Sequence, residues 1–385
     1  MHSQHIRNIN LDDIFHLRHQ IHQAPSLSGQ EESTVNMLKQ WFSSFNCLMT
    51  PICQGRGLLV IFNHGIPGKT ILLRAETDAL PIQTVSKKKW ASRIDGVSHA
   101  CGHDGHAATM ASLAQFLDET PFPGKVVLLF QPDEERGLGA ASVINEVDFN
   151  NLNPDLIFGF HNLPGFPLNR FVVKDHTFTA ASCGLKIKLS GKTAHASTPH
   201  TGISPALAVA DLIQSIPDLS SNESQSTFKL ITLTHAKIGE EAWGIAPGDA
   251  TVCFTLRTYT TPALSDLKQQ IIEIVKSIAK QHTLEVDITE HDFFNATINH
   301  TEAYSTLISS LNTLGSDFIV KEEPFPWSED FGHYTDHIKG CFFGIGAGVS
   351  HPALHSPDYD YPDETIPTMH QFLITLLEQC WKYNI

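Results

Sequence analysis

The chain has 385 residues, enough for two domains with a large core, and its net charge of −15 argues against a nucleic-acid partner. No apolar stretch is long enough to cross a bilayer, so we expect no membrane partner either. The first residues, Met1 to Asp13, lack the apolar segment of a signal peptide. Seven scattered cysteines, an odd count, are typical of reduced thiols. We therefore predict a cytoplasmic location.

Helices and buried strands alternate in the first part of the chain. The spacing of apolar residues predicts helices over 11–23, 31–45 and 106–117. Uninterrupted apolar runs predict buried strands over 58–62, 70–73, 126–130, 156–160 and 341–345. This alternation indicates an α/β fold whose mostly parallel sheet is covered by helices. His19 and His22 fall in the first helix, and we interpret them as ordinary helix residues.

The middle of the chain has a different pattern. Half-exposed strands are predicted over 184–189, 228–237, 251–259 and 284–288, and helices over 204–216 and 261–279. The order β-α-β-β-α-β is typical of a ferredoxin-like α+β domain. We predict that this domain, residues 181–292, is inserted into a catalytic domain formed by residues 1–180 and 293–385.

The segment from His99 to His106 concentrates side chains that bind metals or carry protons. Cys101 and His103 can reach one divalent ion from a single loop. No second Cys or His pair follows at a zinc-finger interval, so further ligands must come from elsewhere in the chain. Parallel sheets bind ligands at the carboxyl ends of their strands. Polar residues directly follow several predicted strands, namely Asp78, Glu134, Glu135, His161 and His355.

This number of candidate ligands suggests two metal ions that share a bridging water, roughly 3.5–4 Å apart. The adjacent Glu134 and Glu135 can divide the work, one binding metal and the other accepting a proton from water. Asp78 and Asp104 would orient the ligands by hydrogen bonding. A thiolate and imidazoles suit zinc, whereas carboxylates also admit manganese, with cobalt or nickel as alternatives.

A series of motifs runs in order from the first third of the chain to its C-terminus. The motifs are Leu73-Arg74-Ala75, Asp78-Ala79-Leu80-Pro81, His99 to His106, Gln131-Pro132 with Glu134-Glu135, Gly159-Phe160-His161-Asn162, Gly191-Lys192 with His195-Ala196, Pro199-His200, Arg257-Thr258, Glu329-Asp330-Phe331 and Leu354-His355-Ser356-Pro357. Together they resemble the M20 metallopeptidase and amidohydrolase family over nearly the whole chain. The resemblance is narrower to its branch of aminoacylases, hippurate hydrolases and indoleacetyl-amino-acid hydrolases.

The resemblance implies a role for each candidate in the catalytic domain. Glu134 would be the general base. The ligands of two divalent ions per subunit, zinc or manganese, would be Cys101, His103, Glu135, His161 and His355.

The resemblance also implies roles for the inserted domain, which would act as a lid and as the surface of a homodimer or homotetramer. In this lid His195 would polarise the scissile carbonyl, and in relatives the partner subunit can supply that histidine. Arg257 would meet a substrate carboxylate, a role that suits the bidentate geometry of a guanidinium.

The sequence departs from the pattern of this family at three places. Gly244-Ile245-Ala246-Pro247 stands where Asn-Val-Ile-Pro is common, so a polar side chain that would help to hold substrate is missing at Gly244. Glu76 stands where an Asp is usual, and Thr193-Ala194 replaces Gly-Gly. Since the ligands and the base are intact, these departures bear on the choice of substrate.

We predict a metal-dependent amidohydrolase that cleaves the amide bond of N-acyl amino acids by a metal-activated water. The alternative within this class is a metallo-dipeptidase or carboxypeptidase that acts on short peptides. A thiol amidase with Cys101 as nucleophile would survive chelation and be inactivated by alkylation. It leaves Glu135, His161 and His355 without a role. A non-catalytic binding protein has no use for Glu134 beside a full set of ligands.

Overall fold

The structure is a computed structural model that describes residues 10–222, 224 and 227–382. The strands are β1 (Leu48–Ile52), β2 (Gly57–Asn63), β3 (Thr70–Glu76), β4 (Lys125–Gln131), β5 (Leu156–Pro164), β6 (Phe171–Val173), β7 (His176–Thr179), β8 (Ala181–Ser190), β9 (Ala194–His195), β10 (Lys229–Ile238), β11 (Ile245–Ala246), β12 (Asp249–Thr258), β13 (Glu285–Phe294), β14 (Thr297–Asn299), β15 (Phe318–Val320) and β16 (Gly340–Gly348). The helices are α1 (Leu11–Gln23), α2 (Glu32–Phe42), α3 (His103–Ala111), α4 (Ala114–Glu119), α5 (Gly139–Ile144), α6 (Val147–Asn150), α7 (Ala206–Ser215), α8 (Thr261–Gln281), α9 (Thr301–Leu314), α10 (Gly332–Thr335) and α11 (Thr365–Lys382).

The described chain divides into two compact units. The first unit comprises the chain up to Phe178, then Ile298–Glu322, and the chain from Asp330 onward. The second unit comprises Thr179–Thr297 together with the short segment Glu323–Glu329. Within the second unit this segment is held by the backbone NH of Ala180, which donates to the carbonyls of Phe325 and Trp327, each at 3.0 Å.

An eight-stranded sheet forms the centre of the first unit, in the order β1-β2-β4-β3-β5-β16-β6-β15. The four central strands, from β4 to β16, are mutually parallel, and antiparallel pairs flank them on both sides. Every residue of β3 is buried, which requires helices on both faces of the sheet. The α/β fold with a mostly parallel sheet is therefore confirmed.

The apolar core of the first unit joins this sheet to its helices. Side chains from α2, α3, α9 and α11 pack with those of the central strands in one cluster. The predicted strands are confirmed and are one to several residues longer than expected. Two details were wrong: the helix predicted over 106–117 is two helices, α3 and α4, and His161 lies inside β5 instead of following it. No helix among the described residues is long and apolar enough to cross a membrane.

The second unit contains an antiparallel sheet in the order β10-β12-β8-β13. Alternate residues of β8 are buried from Ala181 to Leu189, and their side chains share one core cluster with α7 and α8. Burial of a single face of the sheet is what two helices on that face require. The 21-residue helix α8 begins where the Thr260 hydroxyl accepts from the NH of Ala263 at 3.3 Å. The ferredoxin-like arrangement is confirmed.

Candidate metal centre

The parallel register brings the candidate ligands of the first unit to one edge of the sheet. Within β3, Glu76 lies opposite Gln131 of β4, and Arg74 lies opposite Gly159 of β5. His161, two residues beyond Gly159, is therefore level with Glu76. The loops that carry the other candidates follow these strand ends. Residues far apart in sequence meet because parallel strands place their carboxyl ends together.

Among the described residues, five groups of acidic, histidine or cysteine side chains lie close enough together to hold a metal ion, and two of them share Cys101. Cys101, His103 and His161 form one group, and Cys101, Glu135 and His355 form the other. In each group the ligand atoms lie within 4.8 Å of one another. Cys101 Sγ is 3.3 Å from His161 Nε2, and His355 Nε2 is 3.5 Å from Glu135 Oε2. Cys101 belongs to both groups, so its side chain would serve a metal held by either of them.

The two buried histidines of the first group are held in the form that binds metal. His103 Nδ1 donates to the carbonyl oxygen of Asp78 at 3.0 Å and to its carboxylate at 3.1 Å. His161 Nδ1 donates to the carbonyl oxygen of Asn162 at 2.8 Å. Because the acceptors are oxygens, Nδ1 of each ring carries a proton, so Nε2 is the nitrogen that each histidine can offer to a cation.

Two buried polar atoms at this edge lack hydrogen-bond partners, as expected of atoms that bind a metal. The buried atoms His103 Nε2 and Glu135 Oε1 have no hydrogen-bond partner among the described residues. They are 4.0 Å apart, and Glu134 Oε2 is 3.9 Å from the same His103 atom. Buried polar atoms without partners are costly unless a ligand satisfies them. A thiol, imidazoles and a carboxylate are the donor set of a zinc or related transition-metal site.

The environment of Cys101 distinguishes between two possible roles of this residue, a metal ligand and a catalytic nucleophile. Its side chain is buried, and burial, followed by the charges of Glu135 and Glu134, holds the pKa of the thiol well above its ordinary value. A nucleophilic cysteine needs the opposite, a lowered pKa beside a cation or a helix N-terminus. A coordinated cation deprotonates a thiol outright. The surroundings of Cys101 therefore favour its role as a metal ligand over a role as the nucleophile of a thiol amidase.

The carboxylate of Glu31 holds the turn that carries Glu134 and Glu135. No motif in the sequence indicates this residue. One oxygen of this buried carboxylate accepts from the NH of Gly29 at 2.7 Å and from the NH of Asp133 at 2.9 Å. Asp133 adopts a left-handed backbone with φ 62°, which a non-glycine residue keeps only where its surroundings impose it. Burial raises the pKa of Glu31 to about 7.

A hydrogen-bonded chain of buried residues lies beneath the candidate ligands. His106 Nδ1 donates to Glu76 at 2.7 Å, His106 Nε2 lies 2.6 Å from Asn162 Oδ1, and the amide of Asn162 donates to the hydroxyl of Tyr359. Burial alone would raise the pKa of Glu76, but the charges of Arg74 and His106 lower it well below its usual range. Glu76 is thus an ionised partner of His106, which gives a physical reason for a carboxylate at this position.

His22 departs from the interpretation of an ordinary helix residue. It is 1% exposed, and its Nδ1 lies 2.8 Å from Asp104, the residue directly after His103. Periodicity along α1 places His22 on an inner face but gives no sign of a partner on another helix. His19, by contrast, is only half-buried, and its ring stacks on that of Trp90 with centroids 4.0 Å apart.

The candidates of the inserted domain all lie in the second unit. His195 is exposed on β9, where its Nδ1 is 2.7 Å from the Ser197 hydroxyl. The backbone NH of Ala196, next to it, donates to the carbonyl of Gly244 at 3.0 Å, and a Cβ at Gly244 would meet open space. Arg257 Nη1 donates to the Ser328 hydroxyl at 2.8 Å, and burial lowers the pKa of this guanidinium.

A parallel sheet covered by helices, with candidate cysteine, histidine and glutamate ligands at its carboxyl edge, is the architecture of a metal-dependent hydrolase. The chain belongs to peptidase family M20/M25/M40, whose sequence model matches residues 72–379. Within this family the chain falls in the amidohydrolase branch.

Known proteins similar to this chain cover almost all of it. The N-acetyl-L-cysteine deacetylase of Bacillus subtilis is 30% identical over 93% of this chain and 85% of its own length. Thermostable carboxypeptidase 2 of Saccharolobus solfataricus is 31% identical over 87% of this chain and 86% of its own. The crystal structure of the Bacillus subtilis YXEP protein, a dinuclear metal binding peptidase from the M20 family, superposes with a TM-score of 0.82 at 25% identity, covering 97% of this chain and 98% of that one.

Replacing Asp78 by asparagine tests whether this carboxylate holds the candidate ligands in position. The Asp78 carboxylate accepts from His103, from the Ser28 hydroxyl at 2.8 Å and from the NH of Glu135 at 3.0 Å. An amide offers one acceptor oxygen in place of two, so Asp78→Asn should weaken metal binding about 10–100-fold. Zinc or manganese titration of the metal-free protein measures this. Asp95→Asn, which removes the same charge from an exposed position, is the matched control. Wild-type affinity in Asp78→Asn would contradict the prediction.

Proposed function

We propose that this enzyme hydrolyses the amide bond of N-acyl amino acids at a dinuclear metal centre held by Cys101, His103, Glu135, His161 and His355. One observation carries the proposal: these five side chains meet Glu134 in one largely buried cluster of the first unit. The similarity to a B. subtilis protein named as an N-acetyl-L-cysteine deacetylase supports this class of substrate. The similarity to an archaeal carboxypeptidase supports the alternative, a peptidase that acts on short peptides.

Each side chain of the cluster has a distinct task in such a hydrolysis. When bound, two divalent ions would polarise the scissile carbonyl and lower the pKa of water. Glu134 accepts the proton of the attacking water and passes it to the departing amine of the amino acid. His195 donates a hydrogen bond to the oxyanion that develops on the carbonyl. Arg257, whose guanidinium is held by Ser328, pairs with the carboxylate of the substrate.

We further propose a cytoplasmic homodimer or homotetramer assembled through the second unit. All seven cysteines are free, which suits a reducing compartment. At the edge of its sheet β10 is a ten-residue strand with seven consecutive exposed residues, from Thr232 to Ile238. Long exposed edge strands readily pair with another chain unless they are covered.

A substrate screen tests the proposed reaction. N-acetyl, N-benzoyl and indoleacetyl amino acids are compared with dipeptides, using metal-free protein to which zinc, manganese, cobalt or nickel is added back. We expect turnover of the N-acyl amino acids that is lost on chelation and restored by metal. Faster turnover of dipeptides would favour the peptidase instead. Activity that survives chelation but not alkylation of Cys101 would contradict a metal mechanism.

The two adjacent glutamates should respond differently to loss of charge. Glu134→Gln removes the proton acceptor, so kcat should fall by about 10²–10⁴ while metal content stays at the wild-type level. Glu135→Gln should lose metal, because its carboxylate lies in the group with Cys101 and His355. Metal content beside kcat for both variants is the measurement. If Glu134→Gln loses metal and Glu135→Gln keeps it, the two roles are reversed.

His195 should matter for turnover but not for metal binding. Loss of one donor to an oxyanion typically costs about 10²–10³ in kcat, so kcat of His195→Ala should fall by that factor with unchanged metal affinity. The matched control is His291→Ala, which removes an exposed histidine from β13 of the same unit. A near-normal kcat for His195→Ala on a good substrate would exclude this histidine from the mechanism.

A further inference from the structure

A buried charge cluster on α1 has no part in the hydrolysis described above. Arg18 is fully buried, and its Nε lies 2.9 Å from a carboxylate oxygen of Asp104. A second nitrogen contacts the carboxylate of Asp360, and the third lies 3.5 Å from that of Asp363. Burial alone would lower the pKa of Arg18, but these three carboxylates raise it above its ordinary value. A buried guanidinium of this kind is a fixed positive charge with a rigid fork of donors.

The carboxylates that Arg18 contacts belong to the two segments that carry candidate metal ligands. Asp104 directly follows His103 at the start of α3. Asp360 follows His355 by five residues in the segment that precedes α11. One side chain therefore ties together parts of the chain that are more than 250 residues apart in sequence.

The remaining polar partners of the cluster face the same carboxylates. His22 lies 2.8 Å from Asp104, and its other nitrogen is 3.8 Å from Asp360. The ammonium of Lys88 also pairs with Asp360, and the indole NH of Trp90 donates to it at 3.1 Å. Lys88 is about half exposed and pairs with Asp360 of one segment, whereas the guanidinium of Arg18 is fully buried and contacts both segments.

In the segment from His355 to Tyr361, the backbone of His355 and the side chain of Tyr361 contact the segment that carries Cys101 and His103, while the His355 side chain is exposed. The His355 side chain is 51% exposed and its backbone has φ 63°, while its NH donates to the carbonyl of Ala100 at 2.8 Å. Tyr361, by contrast, is buried directly against Gly105, where an added Cβ would come within 2.1 Å of the tyrosine ring. The two segments thus touch along a close contact beside Asp360.

We infer that Arg18 is a positioning residue of the metal centre: by pairing with Asp104 and Asp360 it holds the His355 segment against the Cys101 loop. This inference rests on the proposed function only in that the candidate ligands bind metal. Its consequence is that loss of Arg18 should affect the two groups of candidate ligands unequally. His355 serves the group formed with Cys101 and Glu135, whereas the group of Cys101, His103 and His161 does not include it. Loss of Arg18 should therefore weaken one of two ions more than the other.

Metal titration of the full-length protein tests this selectivity. Metal-free wild type, Arg18→Met and Arg18→Lys are titrated with zinc and with manganese in competition with a chromophoric chelator. We expect two ions in the wild type. In Arg18→Met one ion should bind within about threefold of wild type and the other about 10–100-fold more weakly. Arg18→Lys should be intermediate, because an ammonium keeps the charge but cannot bridge two carboxylates as a guanidinium does.

Two further variants separate positioning from general destabilisation. Arg170→Met removes an arginine that pairs with Asp317 at the surface of the same unit, and it should bind both ions as the wild type does. If Arg18→Met does not fold, Asp360→Asn replaces it, keeping the shape of the side chain while removing the charge that Arg18 holds. Equal weakening of both ions, or of neither, in a folded variant would overturn the inference and leave Arg18 a stabiliser of the fold alone.

The outcomes for this inference and for the proposed function are distinct. A wild type that binds two ions but hydrolyses no N-acyl amino acid would refute the proposed substrate class and leave the role of Arg18 intact. A wild type that binds fewer than two ions would overturn the role of Arg18 as stated. Full activity of the wild type with unselective metal loss in Arg18→Met would sustain the function and reject the inference.

Discussion

The parallel register of the central strands is the constraint on which this structure depends. Four neighbouring parallel strands can end only at a common edge, and the segments that follow them are forced together there. Glu76 and Gln131 end neighbouring strands at the same level, so the turn with Glu134 and the loop with Asp78 begin side by side. The five candidate ligands converge as a result of this register, although they are spread over 255 residues of sequence.

Collecting so many charged groups at a buried edge requires compensation within the protein. Burial of an ion costs several kcal/mol even after relaxation, and removing one partner of a buried pair typically costs about 3–5 kcal/mol. The fold meets this cost with two buried arginines, each paired with carboxylates of segments near the candidate ligands. Arg74 pairs with Glu76 and Asp330 below the sheet edge, and Arg18 pairs with Asp104 and Asp360 behind the Cys101 loop. The buried carboxylates near the candidate ligands are therefore neutralised by the two arginines.

The long buried strands β2 to β5 and β16, and the candidate ligands near their ends, could be predicted from the sequence for a physical reason. A strand buried on both faces is apolar throughout, so polar residues at its end stand out, as Asp78 and Glu134 do. Helix α11 was not predicted, because its run of buried side chains from Phe372 to Leu377 is as compatible with a buried strand as with a helix. The three-residue strands β6 and β15 are too short to carry a pattern.

The residues that support the candidate ligands, such as His22 and Arg18, could not be predicted from the sequence for a different reason. Their roles come from pairing across the fold, which no local pattern contains. His22 meets Asp104 over 82 positions, and Arg18 meets Asp360 over 342. A helical pattern can place both on the inner face of α1, but it cannot say that the inner face meets carboxylates instead of apolar side chains.

The proposed functional residues are divided between the two units. The five proposed metal ligands, together with Asp78 and Asn162, belong to the first unit, while His195 and Arg257 belong to the second. Under the proposed roles, a change at Gly244, Ile245 or Arg257 would alter substrate preference and leave the proposed metal ligands in place. Gly244 is such a position, since its carbonyl accepts from the NH of Ala196 and it lies outside the candidate metal groups. If these roles hold, the accepted substrate can vary between relatives while the catalytic centre stays the same.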